Sequence, residues 1–494
     1  MEPERENKRE DVEKAGSSHV GFVGETESLS EEHLQYLLER HGTVDLDPMP
    51  SMDDADPYNW PKHKKKINLA LVAFHAMMAT FTAAAIQSAF VPIALDLHVS
   101  VQRATYLTAL VIAILGGAPL FWRPLANRYG RRPIFLVSLL CSLVGNIGCA
   151  KSPSYSTMAL CRAITAFFIS PAAAIGTAAV SETFFKRERA TYMGIWTIMV
   201  TCGVPIAPFI FGFVAERVSY RWIYWVLAMV NGAQFILYFL FGPETLYVRD
   251  IDGVPQPTHA ALTKTSYFSF HRIDPRPLTI GDFIHPFSYC LKPRVWGPAM
   301  SYAMVFLWTG IMPTILIPQI FPEKFGFNTQ QVGLQFLSVI LGSVIGEQLG
   351  GRTSDRWMWR RQRALGKAPP PEYRLWLSHF GFVLSIIGAV VFLVQVGNAG
   401  TKWNITPLVG VTIASVGNQL ITTVLITYAV DCYRPDAAAV GVFIVFVRQV
   451  WGFIGPFWLP NLIAATSFNA TAGIGAAFIV VFSIIPIALL QAVT

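Results

Sequence analysis

Twelve apolar runs, each long enough to cross a bilayer, constrain this chain more than any other feature of its sequence. They lie at 67–94, 104–122, 133–150, 157–180, 190–214, 222–242, 298–320, 331–351, 375–396, 407–429, 438–459 and 471–491. A helix satisfies its own backbone hydrogen bonds and crosses hydrocarbon in about 20 apolar residues. The runs therefore predict an all-α polytopic membrane protein with twelve transmembrane helices. Only 14% of the residues are charged, against about 25% in an ordinary soluble domain. The longest interruption, 243–297, is polar and proline-rich and divides the spans six and six. Four segments follow: a head (1–66), a first six-helix bundle (67–242), a central loop (243–297) and a second bundle (298–494).

The charges set an orientation. The head carries 16 acidic and 9 basic residues, leaving 15 acidic and 29 basic for the rest. It has no short apolar stretch of the kind that opens a cleaved signal peptide. It reads as a mostly disordered tail, with one short helix from Ser30 to His41 carrying Leu34, Leu37 and Leu38 on one face. With the N-terminus inside, the inner loops and head hold 30 Lys and Arg and the outer loops 6. That asymmetry predicts cytoplasmic termini. Two sequons, Asn404-Ile-Thr406 and Asn469-Ala-Thr471, fall in outer loops and are candidate glycosylation sites. The basic surplus is that of inner loops; no basic stripe with interleaved aromatics points to nucleic acid. The six cysteines form no CxxC pair and read as small core residues, neither disulfides nor metal ligands.

The halves repeat one another. Arg123 to Arg132, between spans 2 and 3, answers Gly351 to Arg356, between spans 8 and 9. Span 4 ends in Ser181-Glu182 and span 10 in Val430-Asp431. Span 5 contains Ala207-Pro208-Phe209 and span 11 Gly455-Pro456-Phe457. A duplicated six-span unit predicts two pseudo-symmetric bundles around a midplane site, the build of a secondary transporter.

On these motifs the chain resembles the major facilitator superfamily, and within it the fungal twelve-span drug:proton antiporters. Arg128-Tyr-Gly130-Arg131-Arg132 is similar to the signature between spans 2 and 3, and Asp355-Arg356 to its second copy. Gly203 to Gly212 resembles the span-5 antiporter signature, with Ala207-Pro208 where Gly-Pro is usual. Asp56-Pro-Tyr-Asn-Trp-Pro61, Pro243-Glu244-Thr245 and Tyr428 to Tyr433 resemble the fungal branch. Asn127 stands where the first signature has Asp, and Arg123 where it has Gly; these departures predict a weaker gate in the first half. The resemblance implies the major facilitator fold and proton-coupled efflux of a drug, toxin or secondary metabolite by alternating access. Uptake of a cation, amine or other nutrient by symport is the alternative. The partners implied are a small-molecule substrate, protons and the bilayer. The chain is expected to act as a monomer in the plasma membrane, with the vacuolar membrane the other possibility.

Site candidates follow from charge and depth. Glu182 lies near Arg128 and Arg131, and Asp431 near Arg356, so each pair is expected to latch the inner face of its half, with Asp355 facing the N-terminal end of span 11 or span 5. A charge at mid-bilayer costs roughly 2.5–3.5 kcal/mol on insertion scales, so Arg448 and Arg162 are cavity candidates by default. Gln449, Gln87, Asn231, Gln234, Gln335 and Gln419 add polar points, and Trp308 a stacking face. Glu347 and His75 are the titratable candidates for proton coupling. Glu347 stands among Gly342, Gly346 and Gly350, a spacing that admits a close neighbouring helix. There is no HExxH, no phosphate loop and no GxSxG, so neither a catalytic centre nor a cofactor is expected and transport must draw on a gradient.

Overall fold

The computed structural model describes residues 31–247, 273, 277–367, 369–433 and 436–493. Twelve helices are long and apolar enough to span: α1 (Lys62–Asp96), α2 (Val101–Tyr129), α3 (Arg131–Ala150), α4 (Tyr155–Thr183), α5 (Lys186–Arg217), α6 (Arg221–Phe241), α7 (Pro293–Phe325), α8 (Thr329–Leu365), α9 (Pro371–Asn398), α10 (Thr406–Cys432), α11 (Ala437–Ala465) and α12 (Phe468–Ala492). Their starts follow the local chemistry of helix ends. Ser100 caps α2, Ser154 and Thr157 form a reciprocal capping box on α4, and Asn328 and Gln331 do the same on α8. Prolines lie inside α2, α5, α7 and α11, and α7 contains a π-helical turn at Phe306–Ile311.

Within the first bundle α1 packs on α5 and α3 on α6; within the second α10 packs on both α8 and α9. The Gly342, Gly346 and Gly350 ladder makes the α8–α10 contact possible. A β-carbon at these positions would lie 2.5 Å from the Thr412 carbonyl, 2.7 Å from that of Val416 and 3.2 Å from Thr423. Two seams join the bundles, α2 against α11 and α5 against α8. The connections α2–α3, α4–α5, α8–α9 and α10–α11 lie on one face, called here the basic face, together with the described residues of α6–α7, and the remaining six connections lie on the far face.

The head departs from the expectation of a disordered tail from residue 31 onward. Glu31–His41 is helical, and the segment after it is strapped to the first bundle. Tyr58 donates to the Ser181 carbonyl at 2.6 Å, Lys186 pairs with Asp47 at 2.8 Å, and Ser51 meets Tyr247 at 3.0 Å. Residues 1–30 lie outside the described residues.

Candidate functional site

The basic face of the first bundle is organised around the start of α3. The preceding residue, Gly130, has φ +98° and no side chain with which to cap the helix. The cap arrives from beyond the end of α6. Glu244 accepts from the backbone N–H of Arg131 (2.8 Å), Arg132 (2.9 Å) and Leu246 (2.8 Å). A carboxylate here satisfies orphan donors and faces the positive end of the helix dipole. Burial pushes the Glu244 carboxyl above the usual range, and the three N–H donors pull it partly back. The Arg131 side chain leaves this turn to donate to the Ala126 carbonyl (2.5 Å) and to Glu182 (2.6 Å), whose other oxygen accepts from Thr245 (3.1 Å). Arg128 turns instead to Asp282 of the central loop at 3.6 Å. The half whose signature departs more from the family pattern thus holds the closer ion pair.

In the second bundle the expected partnership is corrected. Arg356 is exposed and makes no ion pair with Asp431 among the described residues. Arg374 takes that place: it reaches Asp431 at 3.5 Å, Asp355 at 3.5 Å and the Ser354 hydroxyl at 2.7 Å. Asp355 therefore faces an arginine, not a helix terminus. The reason is positional. Arg131 opens α3, and its counterpart in the repeat opens α9. The long extension of α8 to Leu365 separates that counterpart from Asp355-Arg356 along the chain.

Two interior arginines differ in kind. Arg162 is fully buried and spends its donors on the Leu107 carbonyl (3.1 Å), the Tyr224 hydroxyl (3.3 Å) and the Ala83 carbonyl (3.4 Å). It ties α4 to α1, α2 and α6 as a strut, which corrects its reading as a cavity charge. Arg448 is half-buried, donates to Tyr302 at 2.8 Å and lies over the Phe306 ring at 4.8 Å. Its neighbour Gln449 packs on Gly116 of α2 across the seam.

The remaining candidates are scattered. His75 is fully buried between α1 and α3, 3.1 Å from Ser138 and edge-on to Phe135. Asn231 and Gln234 are buried on α6, Gln234 donating to the Leu71 carbonyl at 3.2 Å. Gln87 is buried at a break in α1, and Gln335 bonds within its own helix to the Gln331 carbonyl. Trp308 is fully buried against Trp458, Phe478 and Gly475, so it is core packing and not a stacking face. Glu347 bonds to Gln419 of α10 and lies within electrostatic reach of Cys202 of α5. It sits on the α5–α8 seam. Asn404 and Asn469 are exposed on the far face.

A far-face contact was not anticipated. The Pro456 carbonyl has no intrahelical donor, because the residue four positions on is Pro460, which lacks an N–H. Gln102 of α2 supplies one at 2.5 Å, and Gln319 of α7 donates to Gln102 at 2.9 Å. Tyr106 stacks on Phe457 at 4.5 Å between centroids beside it. On the other seam the Thr329 N–H reaches Glu216 at 3.0 Å, and a β-carbon on Gly212 would lie 3.0 Å from Gly333. These contacts seal the bundles together at the far face. The signal was present as the Pro456/Pro460 spacing, which leaves one carbonyl free.

The architecture has relatives. The model of the Major Facilitator Superfamily matches residues 70–456. The efflux pump radE of Floropilus chiversii is 25% identical, covering 82% of this chain and 76% of its own. The efflux pump vrtL of Penicillium aethiopicum is 26% identical, covering 85% and 87%. The protein named "Probable drug/proton antiporter YHK8" of Saccharomyces cerevisiae is 23% identical, covering 83% and 84%. A match over most of the chain, on twelve apolar helices in a repeated arrangement, places it: the chain belongs to the major facilitator superfamily and is an integral multi-pass membrane transporter.

Proposed function

We propose that the chain exports a small organic compound in exchange for protons. The observation that carries this reading is Glu347, a carboxyl inside a span, on a seam between bundles and hydrogen-bonded to Gln419. An acid there meets different surroundings when the seam opens, which is what coupling to a proton requires. The relatives named efflux pumps and drug/proton antiporter support the same direction. The basic face is cytoplasmic on this reading, with Arg131–Glu182 and Arg374–Asp431 latching it when the far side opens. The protein works as a monomer in the plasma membrane, and Asn404 and Asn469 face outward as glycan acceptors.

The test uses purified protein in proteoliposomes with a trapped pH-sensing dye, challenged with amphiphilic dyes of either charge under an imposed pH gradient. Export by exchange makes a dye accumulate in an acidic lumen while the lumen alkalinises. Glu347→Gln is expected to abolish accumulation and keep dye-for-dye exchange. Dye entering together with protons would establish uptake symport instead. Orientation is read separately: a cysteine at position 402 should react with an impermeant maleimide on intact cells, and one at position 187 should not.

A further inference from the structure

Arg448 lies eleven residues into α11, about 16 Å along the helix axis from its start. Its surroundings provide for a cation without neutralising it. The Tyr302 hydroxyl accepts one hydrogen bond, and the faces of Phe306 and Tyr302 lie 4.8 and 5.6 Å from the guanidinium carbon. Its Nε is buried and has no partner. Among the described residues no carboxylate is within ion-pairing distance. Other arginines of the fold are matched differently: Arg131 and Arg374 have carboxylates, and Arg162 has two carbonyls and a hydroxyl. Glu347, the acid facing a seam, is on the α5–α8 side, whereas Arg448 belongs to the α2–α11 side.

We propose that Arg448, positioned by Tyr302 and Phe306, anchors an anionic group, so that the compound carried is an organic anion bearing a carboxylate. This rests on the export reading and names its substrate class. A guanidinium has five donors in a planar fork and no acceptor. With Nη1 on Tyr302 and Nε buried, the Nη2 end is the part of the fork left to meet a carboxylate with charge-assisted N–H bonds. The aromatic rings hold the arginine through its face, and Nη2 has no hydrogen-bond partner among the described residues. The π-helical turn of α7 begins at Phe306, and such single-turn insertions recur where a helix presents side chains to a ligand. Gln449, buried against Gly116, fixes the rotation of α11 beside the anchor.

The experiment measures equilibrium binding of three matched probes to the full chain in nanodiscs: 2-naphthoate, its neutral amide and the cationic 2-naphthylmethylamine. Naphthoate should bind about tenfold more tightly than either, as expected for a charge-assisted pair. Arg448→Gln should erase the difference while leaving the melting temperature unchanged or higher, and Arg448→Lys should keep only part of it. Tyr302→Phe, which leaves the charge but not its tether, should weaken naphthoate about threefold and the amide not at all. Equal affinity for the three probes, no binding of any, preference for the amine, or a naphthoate preference that survives Arg448→Gln overturns the proposal. If Arg448→Gln does not fold, the wild-type comparison and Tyr302→Phe decide it. Arg448-dependent naphthoate binding without proton-coupled flux would keep the anion site and remove the export reading; coupled flux of cations alone would do the reverse.

Discussion

Gly130 and Glu244 show how one residue without a side chain commits another, 114 positions away, to a single task. A β-carbon on Gly130 would lie close to the Glu244 carboxylate, and φ is +98°, where an L side chain is strained. Gly130→Ala therefore incurs about 1–3 kcal/mol of backbone strain and pushes the cap off the helix as well. Glu244→Ala leaves the backbone relaxed but strips three N–H groups of their acceptor, at about 1–3 kcal/mol for buried donors left unmade. Both variants should lower the thermal unfolding midpoint in detergent, Gly130→Ala by at least as much as Glu244→Ala. Because the two substitutions act on one contact, the double variant should fall well short of additive; full additivity would show that the contact is not shared. The Pro243-Glu244-Thr245 motif is visible in the sequence, but its role is not. A carboxylate that caps a distant helix has no periodicity and no local spacing to betray it.

At the level of helices, legibility depended on whether the signal was local. The twelve runs are local, and the Gly342, Gly346 and Gly350 ladder is a four-residue repeat on one helix; both correspond to what the structure contains. The Gln102–Pro456 bond needed two helices from different bundles, and only the Pro456/Pro460 half of it could be seen. That bond makes a prediction about the equilibrium between faces. Gln102→Leu removes the donor, and Pro460→Ala supplies the missing intrahelical N–H, so each should loosen the far-face seal by a different route. Spin labels at positions 151 and 402, on far-face loops of opposite bundles in a cysteine-free background, report the separation. Each variant should add a longer-distance population, raising its weight about threefold to tenfold if the bond contributes on the order of 1 kcal/mol. An unchanged distance distribution in both variants would show that packing of Tyr106 on Phe457 and of Gly212 on Gly333 holds the face alone.

Across the whole molecule the repeat itself was readable, and its register across the α8–α9 connection was not. Asp355-Arg356 resembles Asn127-Arg128 as a motif, but the arginine that pairs with Asp431 as Arg131 does with Glu182 is at 374, at the start of α9. Seven basic residues lie between 352 and 374, and nothing in their order singles out one. The two halves consequently hold matching pairs on the basic face: Arg131–Glu182 at 2.6 Å, fastened further by Glu244 and Thr245, and Arg374–Asp431 at 3.5 Å, shared with Asp355. If the latches act together in alternating access, weakening the looser one should cut transport while the other still holds its bundle. Arg374→Ala and Asp431→Ala are expected to lower proteoliposome flux about threefold to tenfold each, an effect between those of exposed and of fully buried ion pairs. The double alanine variant should be little worse than either single one, and the exchange of Arg374→Asp with Asp431→Arg should recover part of the flux, because the coupling belongs to the pair. Arg356→Ala should transport like the wild type. Strictly additive losses at 374 and 431 would show that the two are not coupled, and a loss at 356 as large as theirs would mean that the second latch runs through Arg356 in a conformation other than this one.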